Sequence, residues 1–67
     1  MTPDELGQLL LKRRKRLGLT RAYVADLAAI SSRQLLEWEA GRGNPGLVPL
    51  QAVLTTLGLK MELVPVL

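Results

Sequence analysis

The sequence contains no cysteine and no histidine. Together these absences exclude a disulfide framework, thiolate nucleophiles, imidazole acid–base chemistry and the usual zinc clusters. Phenylalanine is also missing, and there is one tyrosine and one tryptophan, so the core must be aliphatic. No apolar run approaches the ~20 residues of a membrane-crossing helix, and the opening MTPDELGQ lacks the basic and apolar stretches of a secretory leader. Only six residues are acidic, and none has the spacing of a calcium loop. No metal, cofactor or membrane attachment is expected, and the chain reads as soluble and cytoplasmic. With 67 residues there is room for one small domain and none for a cleft between two lobes. No nucleophile–base pair or paired carboxylates can be assembled, so no enzyme is expected.

A domain of this size buries only about 60% of the surface its unfolded chain exposes. With disulfides and metals excluded, stability must come from helix packing or self-association. The hydrophobic share of 48%, nearly all Leu, Val and Ala, suits helices with aliphatic faces. Nine basic against six acidic residues give a net charge of +3. The excess is concentrated: residues 12–42 hold eight basic and three acidic side chains, and five of the basic ones form the run KRRKR at 12–16. Such a cationic excess on a small domain favours nucleic acid or an acidic partner.

Thr2-Pro3-Asp4-Glu5 predicts a helix start, with Thr2 as N-cap, Pro3 at the first helical position and Glu5 closing a capping box. This helix runs to about Leu17, with Leu6, Leu10 and Leu17 on one stripe and Gly18 as its stop. Arg13 and Arg14 interrupt the stripe, so at least one arginine should lie against the core and needs a partner. Thr20 caps a short second helix at 20–28, whose narrow inner face is Val24, Ala25, Leu27 and Ala28. After the break at Ala29-Ile30, the Ser31/Gln34 capping box starts a third helix at 31–40, with Leu35 and Trp38 inward and Glu39 beside them. Three glycines and a proline make 41–46 a loop. Leu47, Leu50, Val53, Leu54 and Leu57 then predict a fourth helix ended by Gly58, with Pro49 tolerated in its first turn. The tail alternates Leu59, Met61 and Leu63 with Lys60, Glu62 and Val64, the period of a strand. Internal repeats and low-complexity segments are absent.

Two short helices joined by a tight turn and followed by a third suggest a helix-turn-helix. Ala25 permits close crossing, and on a helical wheel Arg33, Leu36, Glu37 and Ala40 point away from Leu35. With Ser32 in the first turn they form the surface that a major groove would meet.

The frame LGLTRAYVADLAAISSRQLLEWEAGRGNP resembles the Xre/Cro helix-turn-helix repressors, with Gly18, Leu19, Thr20, Ala25, Ser31, Leu35, Glu39, Gly41 and Pro45 at family positions. Within that family the chain is most similar to HipB-type antitoxins, because the fourth helix runs directly into LGLKMEL. The resemblance implies an all-α, lambda-repressor-like four-helix domain over 1–58 that binds palindromic operators in double-stranded DNA as a homodimer. It also implies repression of its own operon and neutralisation of a HipA-like kinase toxin. By the same resemblance Arg21 takes a phosphate role, Ser32, Arg33 and Glu37 read bases, Arg14 and Glu39 form a buried pair, and Ala29 replaces the turn glycine. Arg42 and Asn44 fall in a loop that approaches phosphates. Gln34 offers either a DNA contact or a helix cap, and Leu36 offers an apolar contact to thymine methyls. Trp38 is assigned to the core. Apart from Arg14, the run 12–16 is assigned to a solvated face that adds long-range field.

Residues 59–67 are expected to form a dimerisation strand, with Leu59, Lys60, Met61, Glu62, Leu63 and Val64 pairing with a second copy about a two-fold axis. Two alternatives remain open: a stand-alone or phage-type regulator with no toxin partner, and a protein-interaction module that uses the fold without DNA.

Overall fold

Thr2 begins the first helix by a reciprocal pair of hydrogen bonds. Its hydroxyl accepts from the Glu5 backbone N–H at 3.1 Å, and its own N–H donates to the Glu5 carboxylate at 3.0 Å. In the computed structural model, which describes all of residues 1–67, the helices are α1 (Pro3–Arg16), α2 (Arg21–Leu27), α3 (Ser32–Glu39) and α4 (Leu47–Thr56). Thr20 caps α2 through the Tyr23 N–H, and Ser31 with Gln34 makes a second capping box on α3. The starts of α1, α2 and α3 are thus set by short polar side chains that satisfy otherwise orphaned N–H groups.

All four helices end in the same way. The Leu19 N–H returns to the Arg14 carbonyl, Ile30 to Ala25, Arg42 to Glu37 and Leu59 to Leu54, each one residue beyond a position with positive φ. This is the Schellman closure, which normally places glycine at the left-handed position. Gly18, Gly41 and Gly58 hold it in three cases, and Ala29 at φ 58° holds it in the turn between α2 and α3. The turn therefore keeps the backbone shape that glycine would give it, at a conformational cost of about 1 kcal/mol.

The core is aliphatic apart from Trp38. Leu10 of α1, Val24, Ala25 and Ala28 from the α2 region, Leu35 and Trp38 of α3, and Leu50, Val53, Leu54 and Leu57 from the α4 region form one buried cluster. Ala25, 1% exposed, sits in the helix pair that must cross closely. The approach of α1 to α3 depends on Gly7. A Cβ there would lie 2.5 Å from the Trp38 carbonyl oxygen and 2.7 Å from that of Glu39.

Three leucines assigned inward from periodicity lie outward. Leu17, Leu27 and Leu47 are 42%, 58% and 60% exposed. Leu17 is the cap residue after α1, where the chain already leaves the helix. Leu27 lies about 100° round the helix from the centre of the Val24, Ala25 and Ala28 face. Leu47 is the first residue of α4, ahead of the turns that reach the core.

The expected strand is not present in the single chain. Residues 59–67 carry no strand, and Leu63, Val64, Val66 and Leu67 are largely exposed. A strand needs a neighbouring backbone edge for its ladder, and the helices of a single chain have spent theirs on intrahelical bonds. No helix is long and apolar enough to cross a membrane.

Candidate nucleic-acid interface

α3 presents its inner face to α1 and α2 and its outer face to solvent. Leu35, Trp38 and Glu39 are buried, while Ser32, Arg33, Gln34 and Leu36 are exposed and Glu37 is partly so. The outer face borders a shallow depression lined by Ser31, Arg33, Gln34, Glu37 and Asn44, closed by the loop before α4. Of the residues assigned to DNA contact, Arg33, Gln34, Glu37 and Asn44 thus meet at one depression, and Ser32 and Leu36 are exposed on the same helix outside it.

Individual placements differ in kind. Gln34 spends its side-chain oxygen on the Ser31 N–H at 3.0 Å, so its first task is to cap α3. Ser32 and Arg33 make no side-chain hydrogen bond or ion pair within the chain, which leaves both free at the helix start. Leu36, 41% exposed, is the apolar member of the same face. Asn44 is exposed in the loop.

Arg42 and Glu37 are brought together. Arg42 Nε donates to Glu37 Oε2 at 2.5 Å, with side chains 63% and 32% exposed. The Schellman closure of α3 explains the pairing, because it lays the residue after Gly41 back over Glu37, whose carbonyl accepts the Arg42 N–H at 2.8 Å. The Arg42 hydrogen bond holds the Glu37 carboxyl below the usual glutamate value of 4.5, partial desolvation opposes this, and the charges of Arg42 and Arg33 add to the lowering. The sequence holds a signal for this pair: Glu37 lies three residues before the C-cap and Arg42 two after it, with the Schellman glycine Gly41 between them.

Behind the outer face lies an ion cluster. Glu39, with 3% of its side chain exposed, accepts from Arg14 Nε at 2.7 Å and Nη2 at 3.1 Å, and from Arg21 Nε at 2.9 Å. Arg14 Nη1 donates in addition to the Leu19 carbonyl at 3.0 Å. One carboxylate therefore ties the end of α1, the start of α2 and the end of α3. The Arg14 side chain is 9% exposed and belongs to the interior, whereas that of Arg21 is 34% exposed and holds Glu39 through Nε alone. Its two terminal nitrogens have no partner in the chain, so the guanidinium is anchored yet can still meet a phosphate. No buried side-chain polar atom is left without a hydrogen bond.

The order of elements, the short α2–turn–α3 unit and its outward polar face describe one architecture. A helix-turn-helix family profile matches residues 10–64. The chain belongs to the helix-turn-helix family. The match is to helix-turn-helix domains of the Xre/Cro type. Among solved structures it is similar to the crystal structure of ComR from Streptococcus suis, with a TM-score of 0.81 and 33% identity over 90% of this chain. The chain spans 20% of that protein's length. No curated protein matches it.

Several structural roles were not anticipated from the sequence. Gly7 looks like an ordinary helix residue, and nothing local says that another backbone will sit on it. Arg13 Nε donates to the Leu57 carbonyl at 2.8 Å, a bond over 44 residues that has no periodic signature. Arg21 joins Glu39 because α2 starts beside the end of α3, a matter of helix crossing rather than of spacing.

Proposed function

We propose that the domain is a sequence-specific, double-stranded-DNA-binding transcriptional regulator, acting by binding and without catalysis of its own. The observation that carries this reading is the separation of roles on α3. Glu39 is bound inward by two arginines, while Arg33 stands unpaired at the first turn of the helix that a major groove would receive. A guanidinium there can bond bidentately to guanine, worth about 1–3 kcal/mol of discrimination. Arg21 and Arg42 flank the recognition helix and take phosphates, and Ser32, Leu36 and Asn44 complete the surface.

In this reading two copies place their recognition helices on a palindromic operator about 34–36 Å apart, one turn of DNA. A homodimer and repression of its own operon belong to this proposal. The HipB-like antitoxin role, with a HipA-like kinase toxin as partner, drew its support from a C-terminal strand. A single chain offers that strand no second edge, so the antitoxin role rests on the resemblance of the tail alone, and the stand-alone regulator is the simpler reading.

The test is operator selection from random duplex, followed by titration at several salt concentrations. Log K should fall linearly with log salt at about −0.9 per phosphate neutralised. Arg33→Ala should relax the choice at one base pair per half-site, and Arg21→Ala should weaken all duplexes alike. A salt-independent affinity, or equal losses on selected and random duplex for both variants, would sink the reading. Sedimentation with and without operator tests the dimer.

A further inference from the structure

The DNA reading uses no cation of the run Lys12–Arg16, and the structure separates them. Arg14 is buried in the ion cluster, whereas Lys12, Arg13 and Arg16 line a groove of about 660 Å³ formed by α1, α4 and the tail. No residue of α2 or α3 lines it, so it is distinct from the DNA-facing surface. Its floor is leucine: Leu6, Leu9 and Leu10 from α1, Leu50 and Leu54 from α4. Leu9 is 50% exposed and Met61, on the tail wall, 43%.

The charges of this groove are one-sided. Lys60 and Glu62 of the tail pair with each other at 3.1 Å and cancel. Lys12, Arg13 and Arg16 have no carboxylate within ion-pair distance. Arg13 is further held in place by its bond to the Leu57 carbonyl at 2.8 Å. The accessible surface of 4891 Å² also exceeds the roughly 4,200 Å² of a compact chain of 7.4 kDa, so the domain leaves area uncovered.

We propose that this groove docks an acidic amphipathic helix of a partner protein. The helix would seat apolar side chains at i, i+3 or i+4, and i+7 on the leucine floor and turn its carboxylates to Lys12, Arg13 and Arg16. A second copy of this chain is the poorer occupant, since it carries the same net charge of +3 and brings the same three cations. Duplex DNA supplies the negative charge but no apolar ridge, and it would leave the leucines wet.

The probe is a fluorescein-labelled peptide of about 16 residues with leucines at that spacing and glutamates beside them, compared with a lysine-flanked peptide of identical leucines. Anisotropy titrations use the full chain at about 50 and 300 mM NaCl. The acidic peptide should bind roughly tenfold or more tighter than the basic one, and less tightly at the higher salt. Lys12→Glu with Arg16→Glu should weaken it by roughly tenfold. Leu9→Ser should weaken it too while leaving duplex affinity unchanged. All three positions are exposed, and unchanged circular dichroism shows that the variants fold. Equal affinity for the two peptides, no binding of the acidic one below about 1 mM, or indifference to these substitutions overturns the proposal. So does self-association abolished by Leu9→Ser, which would give the groove to a second copy. Binding to anionic phosphatidylglycerol vesicles with the acidic peptide inert, or a parallel fall in duplex affinity in Leu9→Ser, overturns it as well.

Discussion

Replacing Glu39 by alanine should be the most damaging single change in the ion cluster, and its cost can be worked from the geometry. Glu39 is 5% exposed and takes three hydrogen bonds, two from Arg14 and one from Arg21. Without it Arg21 can turn to water, because its side chain is 34% exposed. Arg14 cannot, since it is 8% exposed and keeps only the Leu19 carbonyl. Stranding a buried charge in this way costs about 3–5 kcal/mol. At about 0.05–0.15 kcal/mol per residue, a domain of 67 residues has only about 3–10 kcal/mol to lose. The melting temperature should fall by about 12 °C or more, followed through circular dichroism and the fluorescence of the single tryptophan. Arg14→Met with Glu39→Leu should recover most of the loss, because the desolvation cost of both charges goes with them. Arg21→Ala should cost at most about 1 kcal/mol, as suits a partly exposed pair. A Glu39→Ala protein melting within two or three degrees of the parent would show that the cluster does not hold the three helices together.

Gly7→Ala should gain about 1 kcal/mol of helix propensity and lose more to the two α3 carbonyls, for a net loss of about 1–2 kcal/mol by urea titration; a stabilised variant would contradict the close approach. Ala29→Gly should raise stability by up to about 0.5 kcal/mol, the relief of the left-handed alanine, about 1 kcal/mol, less about 0.5 kcal/mol for the added freedom of the unfolded chain; a clear fall in melting temperature would refute the strain. Glu37→Gln should free Arg42, tightening binding to random duplex by a few-fold and steepening the salt dependence by up to about 0.9 per half-site. An unchanged slope would mean that Arg42 reaches no phosphate. Because the folded Glu37 carboxyl titrates below 4.5, its pairing with Arg42 is complete above that pH and is lost as pH falls through the lowered value. Arg42→Ala should therefore move the Glu37 titration, read by carbon-detected NMR, upward toward 4.5, and a titration that stays put would refute the pairing.

Much of this architecture is written locally. The capping boxes at Thr2 and Ser31, the cap at Thr20 and the stops at Gly18, Gly41 and Gly58 lie within three or four residues of the groups they satisfy, so reading along the chain finds them. The inner face of α3 was equally plain, because its period matches the helix. Periodicity failed at Leu17 and Leu47, at helix ends where the same spacing no longer points at the core, and at Leu27, which lies off the narrow buried face of α2. The tail shows a deeper limit: alternation describes what a strand could bury, but a ladder exists only where another edge is offered, and within one chain the four helices offer none, which leaves that edge to a second copy. Tertiary structure alone decided that Gly7 receives the α3 backbone, that Arg21 joins Arg14 on Glu39, and that three cations of the basic run border a leucine groove. Each of these depends on the angle and distance at which whole helices cross, and no short window of sequence contains that information.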